Sequence, residues 1–167
     1  MHLVTPLLAI GSRDDAANPE LLQRFEIDAV LSLEPVRLLK QVSCQMILRV
    51  QDRIALPDAT IEQAIDFLQL QIRQGRRVLV HCQMGISRSP ALVLAYLQQH
   101  PCDSFCDLTL AQAQTRLQQI RPQAEPHPAL IESLQRYLAQ HDATSRYPLL
   151  HSQRSRSASR SPQELAS

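Results

Sequence analysis

The sequence predicts an α/β domain: a central, mostly parallel sheet flanked by helices, with a tight loop between one strand and one helix. Three observations lead there. Short apolar runs alternate with stretches of helical periodicity along most of the chain. Val78-Leu79-Val80 is apolar throughout, the pattern of a strand covered on both faces. A tight turn containing Gly85 follows it directly, and Ser89-Pro90 then opens a helix.

The elements follow in order. Leu7 to Ile10, closed by Gly11, reads as a first strand. Asn18-Pro19-Glu20 starts a helix, with Asn as cap, Pro in the first turn and an acid behind it; Leu21, Leu22 and Phe25 give it an apolar side. Ala29 to Leu33 reads as a second strand, bounded by Glu34-Pro35, and Met46 to Val50 as a third. Pro57-Asp58-Ala59-Thr60 turns into a helix on which Ile61, Ala64, Ile65, Leu68 and Ile72 recur at helical spacing, ended by Gly75. Arg77 to Val80 is the buried strand, an apolar helix follows around Leu92 to Leu97, and two amphipathic helices occupy 107–120 and 127–140. The folded domain is predicted over 1–141. From Asp142 onward apolar periodicity stops, and Arg146, Arg154, Arg156 and Arg160 alternate with serines. Residues 142–167 are expected to be a disordered tail, either a plain solvated extension or a segment for an anionic partner or phosphorylation.

Composition narrows the function. A chain of 167 residues suits one domain with a tail. A net charge of +1 argues against a dedicated nucleic-acid binder. Trp is absent and aromatic residues make up 4%, so a stacking platform for bases is not expected. Cys44, Cys82, Cys102 and Cys106 contain no CxxC pair, which excludes the usual structural zinc spacing. No metal or cofactor is expected. The amino-terminal apolar run has no basic lead and meets Asp14 and Asp15 at once, unlike a signal peptide. No apolar stretch approaches the ~18 residues of a membrane span. The expectation is a soluble, cytoplasmic monomer that contacts neither membrane nor nucleic acid.

The chemistry lies in His81-Cys82-Gln83-Met84-Gly85-Ile86-Ser87-Arg88-Ser89-Pro90. A loop between a strand end and a helix N-terminus aims backbone N–H groups into one concavity, and the helix dipole adds partial positive charge. Gly85 allows the turn, and Arg88 offers a planar fork that matches two phosphate oxygens. The loop is suited to a tetrahedral oxyanion, and a cysteine at its floor is favoured as thiolate, a nucleophile aimed at phosphorus. Alone, Cys82 would read as a small buried hydrophobe and Arg88 as a solvated helix start. At C-x5-R spacing, with a preceding His, an internal Gly and a following Ser, the functional reading prevails.

This stretch resembles the HC-x2-G-x-SRS signature of the dual-specificity branch of the cysteine-dependent protein tyrosine phosphatases. Leu8-Ala9-Ile10-Gly11-Ser12, Ile27 to Leu33 and the Arg121-Pro122 segment with its following helix also resemble the family, so the likeness covers roughly residues 3–140. The resemblance implies that Cys82 attacks and forms a phosphocysteine. Arg88 would bind the phosphate and stabilise transition-state charge. The main-chain amides of Gln83, Met84, Gly85, Ile86, Ser87 and Arg88 would complete the cradle. Ser89 would hydrogen-bond the thiolate and assist its departure, with helix capping as its plainer role. His81 would order the loop rather than titrate. The substrate would be a phosphoprotein, and a shallow cleft would admit phosphotyrosine, phosphoserine and phosphothreonine.

Expelling an alkoxide or phenolate requires a general acid. Asp52 lies thirty residues before Cys82, behind the strand Met46 to Val50, about where the family carries its acid. Asp58 is the rival, although Pro57-Asp58-Ala59-Thr60 reads as turn chemistry and helix start. Two departures from the family pattern stand out. Pro126-His127-Pro128 replaces an Asn often found between prolines, and Met84 is larger than the common residue. Cys44, Cys102 and Cys106 read as structural, with a protective disulfide to Cys82 as the alternative. Other readings are a phosphate-binding module with weak or no turnover, a phosphatase for a non-protein ester such as a phosphoinositide, and a sulfurtransferase or arsenate reductase. The last usually carries its cysteine loop near the amino terminus, whereas this loop lies mid-chain.

Overall fold

The computed structural model describes residues 1–38 and 41–141. The expectation for the Arg/Ser-rich tail falls outside them. Five strands form one sheet in the order β1 (His2–Thr5), β2 (Leu8–Ser12), β5 (Val78–Cys82), β3 (Ala29–Ser32), β4 (Cys44–Ile47). Only β1 runs antiparallel to its neighbour; the pairs β2–β5, β5–β3 and β3–β4 are parallel. The predicted α/β class with a mostly parallel sheet is the observed one.

Side-chain alternation along the strands divides the apolar residues between two faces. On one face Ala9, Val30 and Leu79 pack with Ala16, Leu22 and Ile27, beneath α1 (Arg13–Ala17) and α2 (Pro19–Arg24). On the other face Leu8, Ile10, Leu31, Val78 and Val80 join the larger core. That core includes α3 (Asp58–Arg73), α4 (Arg88–Gln99), α5 (Leu110–Ile120) and α6 (Pro128–Gln140). From Ser89 to Leu97 every residue of α4 is buried, because the sheet and three helices surround it. A helix apolar on all sides belongs in such a place. β5 is likewise buried at all five positions, so the strand and the helix that flank the Cys82–Arg88 loop are both held in the core.

The structure adds to and shifts some expectations. β1 and α1 have no counterpart in the elements predicted from sequence. Pro6 breaks the amino-terminal apolar run, since it cannot donate to a ladder, and the run becomes a hairpin of two strands. α1 starts at a reciprocal cap in which Ser12 and Asp15 bond each other's backbone amides, a pattern visible in Ser12-x-x-Asp15. The third strand is Cys44–Ile47 instead of Met46 to Val50. Past Ile47, Leu48 and Val50 still donate to the carbonyls of Ser32 and Leu33, at 2.8 and 3.2 Å, but the regular ladder has ended. α3 begins at Asp58 after Pro57 and closes at Gly75, whose φ of +75° suits a residue without Cβ.

Candidate active site

β5 ends on Cys82, in register beside Ser12 of β2, and the next five residues turn into α4. Cys82 is 2% exposed, and its Sγ lies 3.3 Å from Ser89 Oγ. Ser89 is buried in the first turn of α4, so the hydroxyl faces the thiol rather than capping the helix. The cap position belongs to Ser87, whose side chain makes no cap bond, which leaves first-turn amides of α4 uncapped.

The carbonyls of the loop are anchored from outside, one after another. Gln83 O accepts from the Arg13 amide at 3.2 Å and Ile86 O from the Glu125 amide at 2.7 Å. Met84 O and Gly85 O accept from Arg121 Nη2 and Nε at 3.0 and 2.7 Å. In a trans peptide the next residue's N–H points opposite the carbonyl. The amides of Met84, Gly85, Ile86 and Ser87 therefore all turn away from these anchors. Among the described residues none of the four has an acceptor. Gly85 has φ +67°, and a Cβ there would stand 2.5 Å from both Arg121 Nη2 and Gly11 O. No other residue fits.

A cleft of about 650 Å³ opens over the loop. Cys82, Gln83, Met84, Ile86, Ser87 and Arg88 line it, with Asp52, Arg53 and His127 across from them. Arg88 is held by two bonds: Nη1 to Val50 O at 3.1 Å and Nη2 to Glu34 Oε2 at 3.3 Å. Its Nε is buried without a partner among the described residues. The Gln83 amide nitrogen, oriented by its surroundings, donates to both Glu34 oxygens at 2.6 and 3.2 Å. One carboxylate thus fixes two loop side chains.

His81 is buried, with Nε2 2.9 Å from Ser32 Oγ. Burial, together with the nearby Arg88 cation, pushes its pKa down to about 4. The imidazole is neutral at pH 7, tying β5 to β3.

Asp52 sits on the turn after β4, beside Arg53, which holds a left-handed φ of 62°. Asp52 Oδ1 accepts from Ser87 Oγ at 2.8 Å and from the Arg53 amide at 3.0 Å. Ser87 Oγ in turn accepts from the His127 amide at 3.2 Å. Asp58 lies outside the cleft, where its carboxylate pairs with Arg136 at 2.9 Å and joins α3 to α6. Of the two candidate acids, the fold brings only Asp52 to Cys82 and Arg88. His127 caps α6, accepting the Ala129 amide on Nδ1 at 3.3 Å, the bond an Asn would make there. Met84 is 60% exposed at the rim. All four cysteines are free thiols.

Residues 8–140 match the family described as dual specificity phosphatase, catalytic domain. The chain belongs to the dual-specificity phosphatases. It is similar to human protein phosphatase Slingshot homolog 3, 34% identical over 149 residues, which covers 80% of this chain but 20% of that protein. It is also similar to dual specificity protein phosphatase 1 of Arabidopsis thaliana, 33% identical over 141 residues, covering 80% and 66%. The chain thus spans about a fifth of Slingshot homolog 3 and about two thirds of the plant protein. Among solved structures, human DUSP28 superposes with a TM-score of 0.74 at 28% identity, covering 86% of this chain and 99% of that one.

Within this dual-specificity phosphatase domain, sequence reasoning missed two site residues. Glu34 reads locally as a strand boundary, and nothing in its neighbours announces that it faces Arg88. Arg121 reads as the end of an amphipathic helix, yet it is 2% exposed behind the loop. Buried positions this far apart in the chain leave no local pattern.

Proposed function

We propose that this chain is a cysteine-dependent phosphatase that hydrolyses phosphomonoesters on proteins, at phosphotyrosine and phosphoserine or phosphothreonine, through a phosphocysteine. The supporting observation is that four consecutive amides of the loop after Cys82, together with Arg88 Nε, have no acceptor among the described residues. These donors match the oxygens of a tetrahedral dianion.

In the first step the Cys82 thiolate attacks phosphorus. The S–P bond forms as the bond from phosphorus to the ester oxygen breaks. Protonated Asp52 gives its proton to that departing oxygen, and Arg88 with the P-loop amides takes up the charge on the equatorial oxygens. In the second step water attacks the phosphocysteine. Asp52, now a carboxylate, takes the water proton, the S–P bond breaks, and the Ser89 hydroxyl, keeping its proton, donates a hydrogen bond to the leaving thiolate. Phosphate departs and the thiolate is restored. His81 takes no part in proton transfer.

The charges around the cleft favour a protein ester over a phosphoinositide. Arg53 and Arg88 are balanced by Asp52 and Glu125, whereas a headgroup carrying several phosphates calls for a cationic excess. A phosphate-binding module without turnover needs the amides and Arg88 but has no use for an acid at the cleft. The domain works as a monomer in the reducing cytoplasm, with phosphoproteins as its partners and no nucleic acid or membrane contact. Four free thiols and a net charge of +1 suit that setting. The test is turnover of p-nitrophenyl phosphate and of phosphotyrosine, phosphoserine and phosphothreonine peptides, with Cys82→Ser as control. Hydrolysis of all three peptides by the parent alone supports the proposal, and phosphate binding without hydrolysis contradicts it.

A further inference from the structure

The loop of the proposed phosphate site has a front and a back, and the back is held by one side chain. Arg121 is the largest of the fully buried side chains. It has no carboxylate within ion-pairing distance among the described residues. Its three nitrogens are nevertheless all used: Nε on Gly85 O, Nη2 on Met84 O, and Nη1 on His2 Nδ1 at 2.9 Å. A guanidinium spent on two adjacent loop carbonyls and one imidazole is an unusual use of a buried charge, which ordinarily has an anionic partner.

We infer that Arg121, braced by His2, is a positioning residue of the oxyanion site, aiming the Gly85 and Ile86 amides at the bound phosphate. Peptide planarity carries the argument. The Met84 carbonyl and the Gly85 N–H belong to one trans peptide, and the Gly85 carbonyl and the Ile86 N–H to the next. Pinning both carbonyls to one rigid fork fixes both amides on the opposite side. The two flanking carbonyls, of Gln83 and Ile86, are pinned by backbone amides instead. Hence the middle of the loop alone depends on a replaceable side chain. The missing Cβ of Gly85 leaves the space that Arg121 Nη2 occupies.

The buried cation also lies close enough to Cys82 for a thiolate there to offset part of its desolvation, as Asp15 does. His2 completes the device. Arg121 donates to Nδ1, so the imidazole is neutral with its proton on Nε2, and β1 is tied to the far side of the phosphate loop. A lysine in place of Arg121 could reach one carbonyl but not hold both in a plane.

This inference rests on the loop being an oxyanion site, and the test separates the two. Orthovanadate and inorganic phosphate binding are measured by calorimetry alongside p-nitrophenyl phosphate turnover. The proteins compared are the parent, Arg121→Met, Arg121→Lys, His2→Phe and His2→Asn, each checked for folding by circular dichroism. Arg121→Met and Arg121→Lys are expected to weaken both anions at least tenfold and to raise KM by a similar factor. His2→Phe is expected to lose about threefold, and His2→Asn, whose Oδ1 can accept from Arg121, to recover at least half of that. A parent that binds phosphate but turns nothing over, with the same losses in the variants, overturns the phosphatase reading and supports this one. Folded Arg121 variants within twofold of the parent in both anions and KM overturn it. If neither Arg121 variant folds, the His2 pair decides: equal losses in Phe and Asn, or none in either, overturn it.

Discussion

The front and the back of the phosphate loop are built by different rules. The front, Cys82 to Ser89, is one uninterrupted stretch of chain, and its loop amides belong to consecutive peptides. The back is assembled from Arg13, Arg121, Glu125 and His2, scattered over the whole domain, because any donor of the right reach can hold a carbonyl. In the proposed reaction the front performs the chemistry and the back keeps its geometry. Changes in front should abolish rate, and changes behind should weaken anion binding by smaller factors.

The largest effect expected is at the nucleophile. Cys82→Ser should lower kcat by about 10⁴-fold or more, the scale of losing a catalytic nucleophile, while inorganic phosphate binding survives because amides and Arg88 remain. Calorimetry with phosphate checks the second half; loss of binding along with rate would place Cys82 in the scaffold. Asp52→Asn should depend on the leaving group. Phosphoserine peptides should lose ~10²–10⁴ in kcat, the range of general acid catalysis, and p-nitrophenyl phosphate, whose phenolate leaves readily, far less. Equal losses on both substrates would remove Asp52 from the acid role. Arg88→Lys keeps the charge but not the fork, and about 10²-fold in kcat/KM should disappear, as when one oxyanion donor is removed.

These front residues are legible in the chain itself, since C-x5-R with its His, Gly and Ser is a local pattern. So is the fold class, from Val78-Leu79-Val80 and the Asn18-Pro19 and Pro57-Asp58 helix starts. Three features are not. The edge strand β4 lies two residues earlier than Met46 to Val50 suggests, because half of its side chains face out and apolar spacing does not mark where an edge ladder stops. Glu34 and Arg121 act through partners 54 and 36 residues away in sequence, which no window on the chain contains. Asp58 is legible as a helix start but not as the ion-pair partner of Arg136, which depends on how α6 packs on α3.

Smaller effects sharpen the contrast. His81 is neutral and buried when folded but free to ionise when unfolded. Between about pH 6.5 and pH 4 the unfolded chain binds more protons, so stability falls as the medium is acidified through that window. The loss by pH 4 should be on the order of 3 kcal/mol from this group, read from melts at stepped pH; His81→Gln should flatten that slope, and an unchanged slope would detach it from His81. Asp58→Asn breaks an exposed pair and removes one first-turn acid, which should cost about 0.5 kcal/mol and leave turnover unaltered. A rate loss there would bring Asp58 into the reaction after all.

The central claim is that the loop delivers the Cys82 sulfur to phosphorus. Rapid acid quenching of the working enzyme with p-nitrophenyl phosphate, followed by peptide mass spectrometry, tests it most directly. A phosphoryl group on the peptide containing Cys82, absent from Cys82→Ser, is the result predicted. Turnover with no adduct at Cys82, or an adduct on another residue, would contradict it.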